Sequence, residues 1–241
     1  MFQTFYLYKF STFILLFLFI VNNLNAAEKT FICATTHYPP YTIYDNKDDT
    51  FSGLDMLIIN PLFKQLNLDI EVVNLPWARL KQEIKKNTYD CYFSLAKYSN
   101  REEFLEYSNL PTHITTIAIF HSDDISSVDF SNKNIGVHRG ITVPNDILPL
   151  YGLHEANFKK LQSNEILFQM LYRKRVDAVM TNKIVGEHIL KTQYEGFFVN
   201  ALELKTYKIP VYLAFKKGVV DIDKVNNTLF KILNPVELIT K

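Results

Sequence analysis

Short apolar runs of strand length alternate with amphipathic stripes of helix length along most of this chain, and that alternation restricts its fold more than any other feature. Phe31–Thr35 reads as a strand, followed by a turn-rich stretch around Tyr38–Pro39–Pro40–Tyr41. Between Gly53 and Leu66 the apolar residues Leu54, Leu57, Ile58, Leu62 and Leu66 recur with a helical period, and Pro61 is expected to kink that helix. Asp69–Asn74 is a second strand. Pro76 suits the first turn of a helix with Trp77, Leu80 and Ile84 on one face, and Asp90–Leu95 is a third strand. Strand, helix, strand, helix, strand means a mainly parallel sheet with helices on its faces.

A second round follows. Thr115–Phe120 and Asn134–Val137 read as strands, and Gly140–Ile141–Thr142 opens an expected helix toward Leu148. Ser163 caps a helix with apolar positions at Ile166, Leu167, Met170 and Leu171. Asp177–Met180 is a buried-type strand, Lys183–Leu190 a helix and Pro210–Phe215 a last strand, before an amphipathic helix carrying Ile222, Val225, Leu229 and Ile232. Two α/β lobes of roughly 100 residues each are the natural division. There is no internal repeat and no low-complexity segment.

The first 26 residues differ from the rest. Lys9 is the one charge before Glu28, Phe10–Val21 is mostly apolar, and Asn22–Ala27 supplies polar and small residues. That is the layout of a secretory signal peptide, residues 1–26, cleaved after Ala26 or Ala27. An uncleaved anchor would want roughly 18 apolar residues, and this run is shorter and broken by Ser11 and Thr12. The expected product is a soluble periplasmic protein.

Composition removes several functions. The whole chain carries a net charge of +1, and Lys9 is the only charge lost on cleavage, so nothing electrostatic calls for nucleic acid or an anionic membrane. The 7 glycines form no GxGxxG, GxxxxGK[ST] or GxSxG pattern, so nucleotide loops and the nucleophile elbow are absent. Cys33 and Cys91 are the only thiols, each inside a strand-like segment. In an oxidising compartment they either pair, if their strands are neighbours, or remain two small buried hydrophobes. No clustered histidines accompany them, so neither a metal nor a cofactor is expected.

Several pieces stand in a telling order: Tyr38–Pro39–Pro40–Tyr41 after the first strand, Phe51–Ser52–Gly53–Leu54–Asp55 opening the first helix, and Leu75–Pro76–Trp77 before the second. Asp90–Ser94, Asn100–Glu103 with Tyr107, Ser108 and Pro111, Ile135–Thr142, and Val176–Asn182 complete it. In this order the chain resembles the family-3 periplasmic solute-binding proteins, which serve ABC importers of polar amino acids and related solutes. The resemblance covers essentially the whole mature chain. It implies a hinged, two-lobed type II clamp, with 27–113 and 213–241 forming lobe 1 and 114–212 inserted as lobe 2. Ligand would sit in the cleft. A monomer is expected, with an ABC permease as partner. After Leu233 only eight residues remain, where the family normally adds another helix.

The resemblance also assigns residues. Arg101 is the position that forks onto a ligand carboxylate, for which planar guanidinium donors are suited. Thr142, with the amides of Gly140 and Ile141, would clamp the same carboxylate from the other lobe, with His138 or Arg139 beside it. Tyr38 and Trp77 match positions that stack on the ligand. Arg79 is expected to be a solvated helix residue. Ser94 matches the stretch that hydrogen-bonds the ligand's amino group. Asn182 stands where amino-acid binders carry an aspartate for the ammonium; it brings an acceptor but no charge. The implied function is capture of a small carboxylate-bearing solute. The alternatives are a binding module feeding a membrane sensor, or a cyclohexadienyl or arogenate dehydratase-like enzyme, for which Glu187 is the nearest acid after Asn182 but on an expected exposed face. Catalysis is not expected.

Overall fold

The computed structural model describes residues 30–122, 129–139, 141, 143 and 145–234. The segment read as a signal peptide, Gly140, Thr142 and the C-terminal seven residues lie outside the described residues.

Strand β1 (Phe31–Thr35) leads through a loop into a hairpin of β2 (Ile43–Asp45) and β3 (Thr50–Ser52), then α1 (Met56–Leu66), β4 (Ile70–Asn74), α2 (Trp77–Lys86) and β5 (Cys91–Ala96). A single turn, α3 (Ser99–Glu102), and β6 (Leu105–Tyr107) precede the long β7 (His113–His121). Next come β8 (Ile135–His138), β9 (Phe158–Leu161), α4 (Asn164–Tyr172), β10 (Ala178–Asn182), α5 (Lys183–Gln193), β11 (Asn200–Lys216) and α6 (Ile222–Leu233). The main sheet runs β4-β1-β5-β11-β7-β10-β8-β9, with β6 also on β11. Its two ends are parallel, β4/β1/β5 and β10/β8/β9. The middle is antiparallel, because β7 and β11 run past one another from one half to the other.

Strand alternation sorts the core into layers on either face. Phe31, Cys33, Cys91, Phe93, Leu213 and Phe215 point at α1 and α6, where Ile59, Leu62, Phe63, Val225 and Leu229 meet them. Their neighbours Ala34, Tyr92, Leu95 and Ala214 point the other way, at Leu80 and Ile84 of α2. The second half repeats this: Ile117, Ile119, Ile135, Val137 and Met180 on one face, and Ala118, Phe120 and Val179 under α4 and α5 on the other. Gly186 of α5 lies so close to the Phe120 ring that a Cβ there would sit 2.3 Å from it. The result is a two-lobed α/β clamp, with the parallel ends of the sheet as lobe sheets and the antiparallel β7/β11 pair joining them.

The expected helix from Gly140 toward Leu148 is not seen in its described part: Asn145–Leu148 are turn residues, followed by a 3-10 turn at Pro149–Tyr151. Pro144 and Pro149 leave too short a run between them to nucleate a helix. The last strand begins ten residues before Pro210, at Asn200. Leu202, Leu204, Tyr207 and Ile209 supply the apolar side chains of its earlier part. A register shift between Glu203 and Lys208 separates its pairing with Ala118–His121 from that with His113–Thr116. Cys33 and Cys91 are direct register partners on the adjacent strands β1 and β5 and are joined as a disulfide, both wholly buried.

Candidate functional site

A cavity of about 180 Å³ opens between the two halves. A space of this size suits a small solute. Its floor is the β7/β11 pair, through His113, Thr115, Ile117, Ile209 and Val211. One wall comes from the C-terminal ends of β1 and β5 and from α2 and α3, the other from the ends of β8 and β10 with Ile141 and the start of α4. Crevices outside the carboxyl ends of parallel strands are where open α/β sheets hold ligands.

Arg101 sits on α3 in the first wall and is only 9% exposed. Its Nη1 donates to the Ala96 carbonyl at 2.7 Å. The guanidinium carbon lies 4.9 Å from the Tyr98 ring centre and 5.6 Å from that of Trp77. No carboxylate lies within ion-pair distance of it among the described residues. Burial therefore holds its pKa below the ordinary value, opposed only by the neighbouring tyrosines Tyr107 and Tyr98. The Tyr107 hydroxyl is pushed up to about 12 by burial despite the arginine beside it. A second cation shares the wall. Lys81 is one helical turn from Trp77, and its ammonium is held below the usual lysine range by burial and then by the charge of Arg101. Arg79 points elsewhere, its side chain 58% exposed and its Nε 2.6 Å from Glu83.

Behind the wall is one buried acid. Asp55 Oδ2 accepts from Thr42 Oγ1 at 2.6 Å and from Ser94 Oγ at 2.5 Å, and Oδ1 is 3.6 Å from His113 Nδ1. Ser94 reaches it from a left-handed backbone, φ +57°. Thr42, Ser94 and His113 line the cavity, and Asp55 itself does not. His113 stacks on Tyr41, and Tyr41 on Tyr38, so three rings form a column at the cleft. Burial raises the Tyr38 hydroxyl, whose nearest side-chain partner across the cleft is Thr181. Thr181 in turn donates to Asn164 Oδ1 at 2.7 Å. His138 is also depressed by burial, with its Nδ1 2.9 Å from the Arg139 carbonyl oxygen. Among the described residues no three potential ligands stand close enough together to hold a metal ion.

Of the residues singled out from sequence, Tyr38, Trp77, Ser94 and Arg101 come together on this wall. Thr142 lies outside the described residues. Asn182 is 1% exposed and is not on the cavity surface: its Oδ1 accepts from Val185 N at 3.2 Å and caps α5, and the neighbouring Thr181 faces the cleft instead. Glu187 is an exposed helix residue, 4.0 Å from Lys183. Lys81, Tyr98 and His113 were not singled out. For Lys81 a signal existed, since the spacing i, i+3, i+4 puts Trp77, Leu80 and Lys81 on one helix face.

The sequence profile described as "Bacterial extracellular solute-binding proteins, family 3" matches residues 31–235. The L-cystine-binding protein TcyA of Bacillus subtilis (strain 168) is 22% identical over 196 residues, covering 80% of this chain and 71% of that protein. Among solved structures, the arginine-, lysine-, histidine-binding protein ArtJ of Geobacillus stearothermophilus aligns with a TM-score of 0.72 at 19% identity, covering 87% of this chain and 91% of that one. A histidine kinase sensor domain with similarity to periplasmic binding proteins aligns with a TM-score of 0.73 at 14% identity, covering 88% and 94%.

Proposed function

Because the chain belongs to the family-3 bacterial extracellular solute-binding proteins, we propose that it captures a small carboxylate-bearing solute, an amino acid or a related acid, in the cleft between its halves. The observation that carries this reading is Arg101, a buried guanidinium on the cavity wall with aromatic faces beside it and no acid paired to it among the described residues. A buried cation without a counter-ion is costly, and an anionic ligand removes that cost with charge-assisted, bidentate hydrogen bonds. Residues 27–113 with 213–241 act as one jaw and 114–212 as the other. The strand crossings at His113–Thr116 and Lys208–Val211 act as the hinge, and closure excludes water from the ion pair.

The role is binding without chemistry. The described cavity wall offers no carboxyl group of the kind an acid-catalysed dehydratase would use. The protein works outside the cytoplasm as a monomer and delivers its solute to an ABC permease. Among the described residues no helix is long and apolar enough to cross a membrane. A membrane sensor is the second partner to test, since a histidine kinase sensor domain shares the fold.

The test is a thermal-shift panel of amino acids and small carboxylates on the purified protein, repeated with Arg101→Ala. A ligand at 100 times its Kd adds about 2.7 kcal/mol of stability. A stabilising hit that Arg101→Ala abolishes is expected; a hit indifferent to Arg101, or none from any acid, rejects the reading.

A further inference from the structure

We propose that the cleft selects a small dianionic acid lacking an ammonium group, with one anionic end on Arg101 and the other toward Lys81. The inference rests on the solute-capture reading above and narrows it to a class of solute.

The charge inventory of the wall is one-sided. Arg101 and Lys81 both line the cavity, and no aspartate or glutamate does among the described residues. The nearest buried acid, Asp55, is 2% exposed and screened from the cavity by Thr42, Ser94 and His113, which also occupy its oxygens. Asn182, uncharged, caps a helix behind the wall. Glu165 lines only the adjoining outer recess. Among the described lining residues a ligand ammonium would therefore meet two cations and no carboxylate.

Aromatic rings offer the other way to hold a ligand cation, over a face. On this wall Trp77 and Tyr98 already carry the Arg101 guanidinium. The lowered pKa of Lys81, caused first by burial and next by Arg101, fits two cations facing a common space. A second anionic group on the ligand relieves that repulsion, whereas a positive group adds to it.

Titration calorimetry on the purified protein would compare succinate, glutarate and adipate, each with its α-amino counterpart (aspartate, glutamate, 2-aminoadipate), and with butyrate and L-arginine. At least one dicarboxylate is expected to bind about tenfold or more tighter than its α-amino counterpart, and tighter than butyrate, since one charge-assisted contact is worth about that factor. Lys81→Gln, a half-buried helix position whose folding circular dichroism would check, is expected to erase the advantage over butyrate by weakening the dicarboxylate far more than butyrate. An α-amino acid or arginine binding as tightly as any dicarboxylate overturns this inference, and if Arg101→Ala abolishes that binding the capture reading survives. Equal loss of dicarboxylate and butyrate in Lys81→Gln overturns the role of Lys81. Silence from every acid overturns both readings.

Discussion

The His113 ring lies face to face on Tyr41, with centroids 4.0 Å apart and planes within 11°. The contact ties the loop after β1 to the first residue of β7, where the sheet crosses between halves. Burial holds the His113 imidazole below its ordinary value of 6.5, against the pull of the Asp55 carboxylate 3.6 Å away. His138 is depressed in the same direction by burial. A folded pKa below the unfolded one means the unfolded chain binds more protons within that window. Stability is thus complete above about pH 6.5 and falls as pH drops from there toward the folded values. His113→Phe keeps a ring on Tyr41 and removes one titrating group. Urea denaturation at about pH 7.5 and about pH 5.5 should show a smaller acid-side loss in the variant. An unchanged difference would mean that His113 is not the linked group.

Gly53 holds the same loop from beneath. Its φ is +103°, and a Cβ there would sit 2.4 Å from the Tyr41 carbonyl oxygen and 2.7 Å from that of Pro40. Those two carbonyls accept the backbone amides of Asp55 and Leu54, so the loop cannot retreat without releasing Asp55. Gly53→Ala is expected to cost at least about 2 kcal/mol through strain and lost contacts. The same change should loosen Tyr38 and weaken solute binding. Equilibrium denaturation with parallel calorimetry checks both, and a neutral variant would contradict the close approach.

The Cys33–Cys91 bond joins positions 58 residues apart. Closing a loop of that length in the unfolded chain gives about 4 kcal/mol of stabilisation from chain entropy. Both sulfurs are wholly buried between α1, α6 and the sheet, so their replacements must also fill the core. Cys33→Ala/Cys91→Val is expected to lose about 2–4 kcal/mol in urea and to fold without change in near-ultraviolet circular dichroism beyond the disulfide contribution. A variant as stable as the oxidised protein would show that the crosslink constrains little.

Local periodicity made the layers legible. Phe31, Cys33 and Phe93 on one side and Ala34 and Tyr92 on the other follow from period-two alternation alone. Ser163 also caps α4 as its position suggested, with Oγ 3.3 Å from Ile166 N. What local pattern could not supply is adjacency. That β1 lies beside β5, and so brings Cys33 to Cys91, is a pairing across 58 residues with no local trace. The same holds for Asp55, whose Oδ2 accepts from Ser94 Oγ 39 residues away. For the cavity, the resemblance to the family singled out Arg101, Trp77, Tyr38 and Ser94, all of which line it. The facing of Lys81 needed the helix phase, and that of Asn182 needed the end of β10. There, one step along the strand exchanges cleft for helix cap.

That step yields the most discriminating substitution. Asn182 Oδ1 accepts the Val185 amide and caps α5, and the residue is not on the cavity wall. As a cap, its loss costs about 0.5–2 kcal/mol, so Asn182→Ala should lower Tm. Asn182→Asp keeps the cap acceptor and places a negative charge at a helix N-terminus, so it should be more stable than Asn182→Ala. In both variants the affinity for whichever acid the parent binds should stay within about twofold, because Thr181 and not residue 182 lines the cavity. Thermal unfolding and calorimetry read the two effects separately. A tenfold or greater gain in binding of α-amino acids by Asn182→Asp would return residue 182 to the ligand shell and overturn its assignment as a helix cap alone.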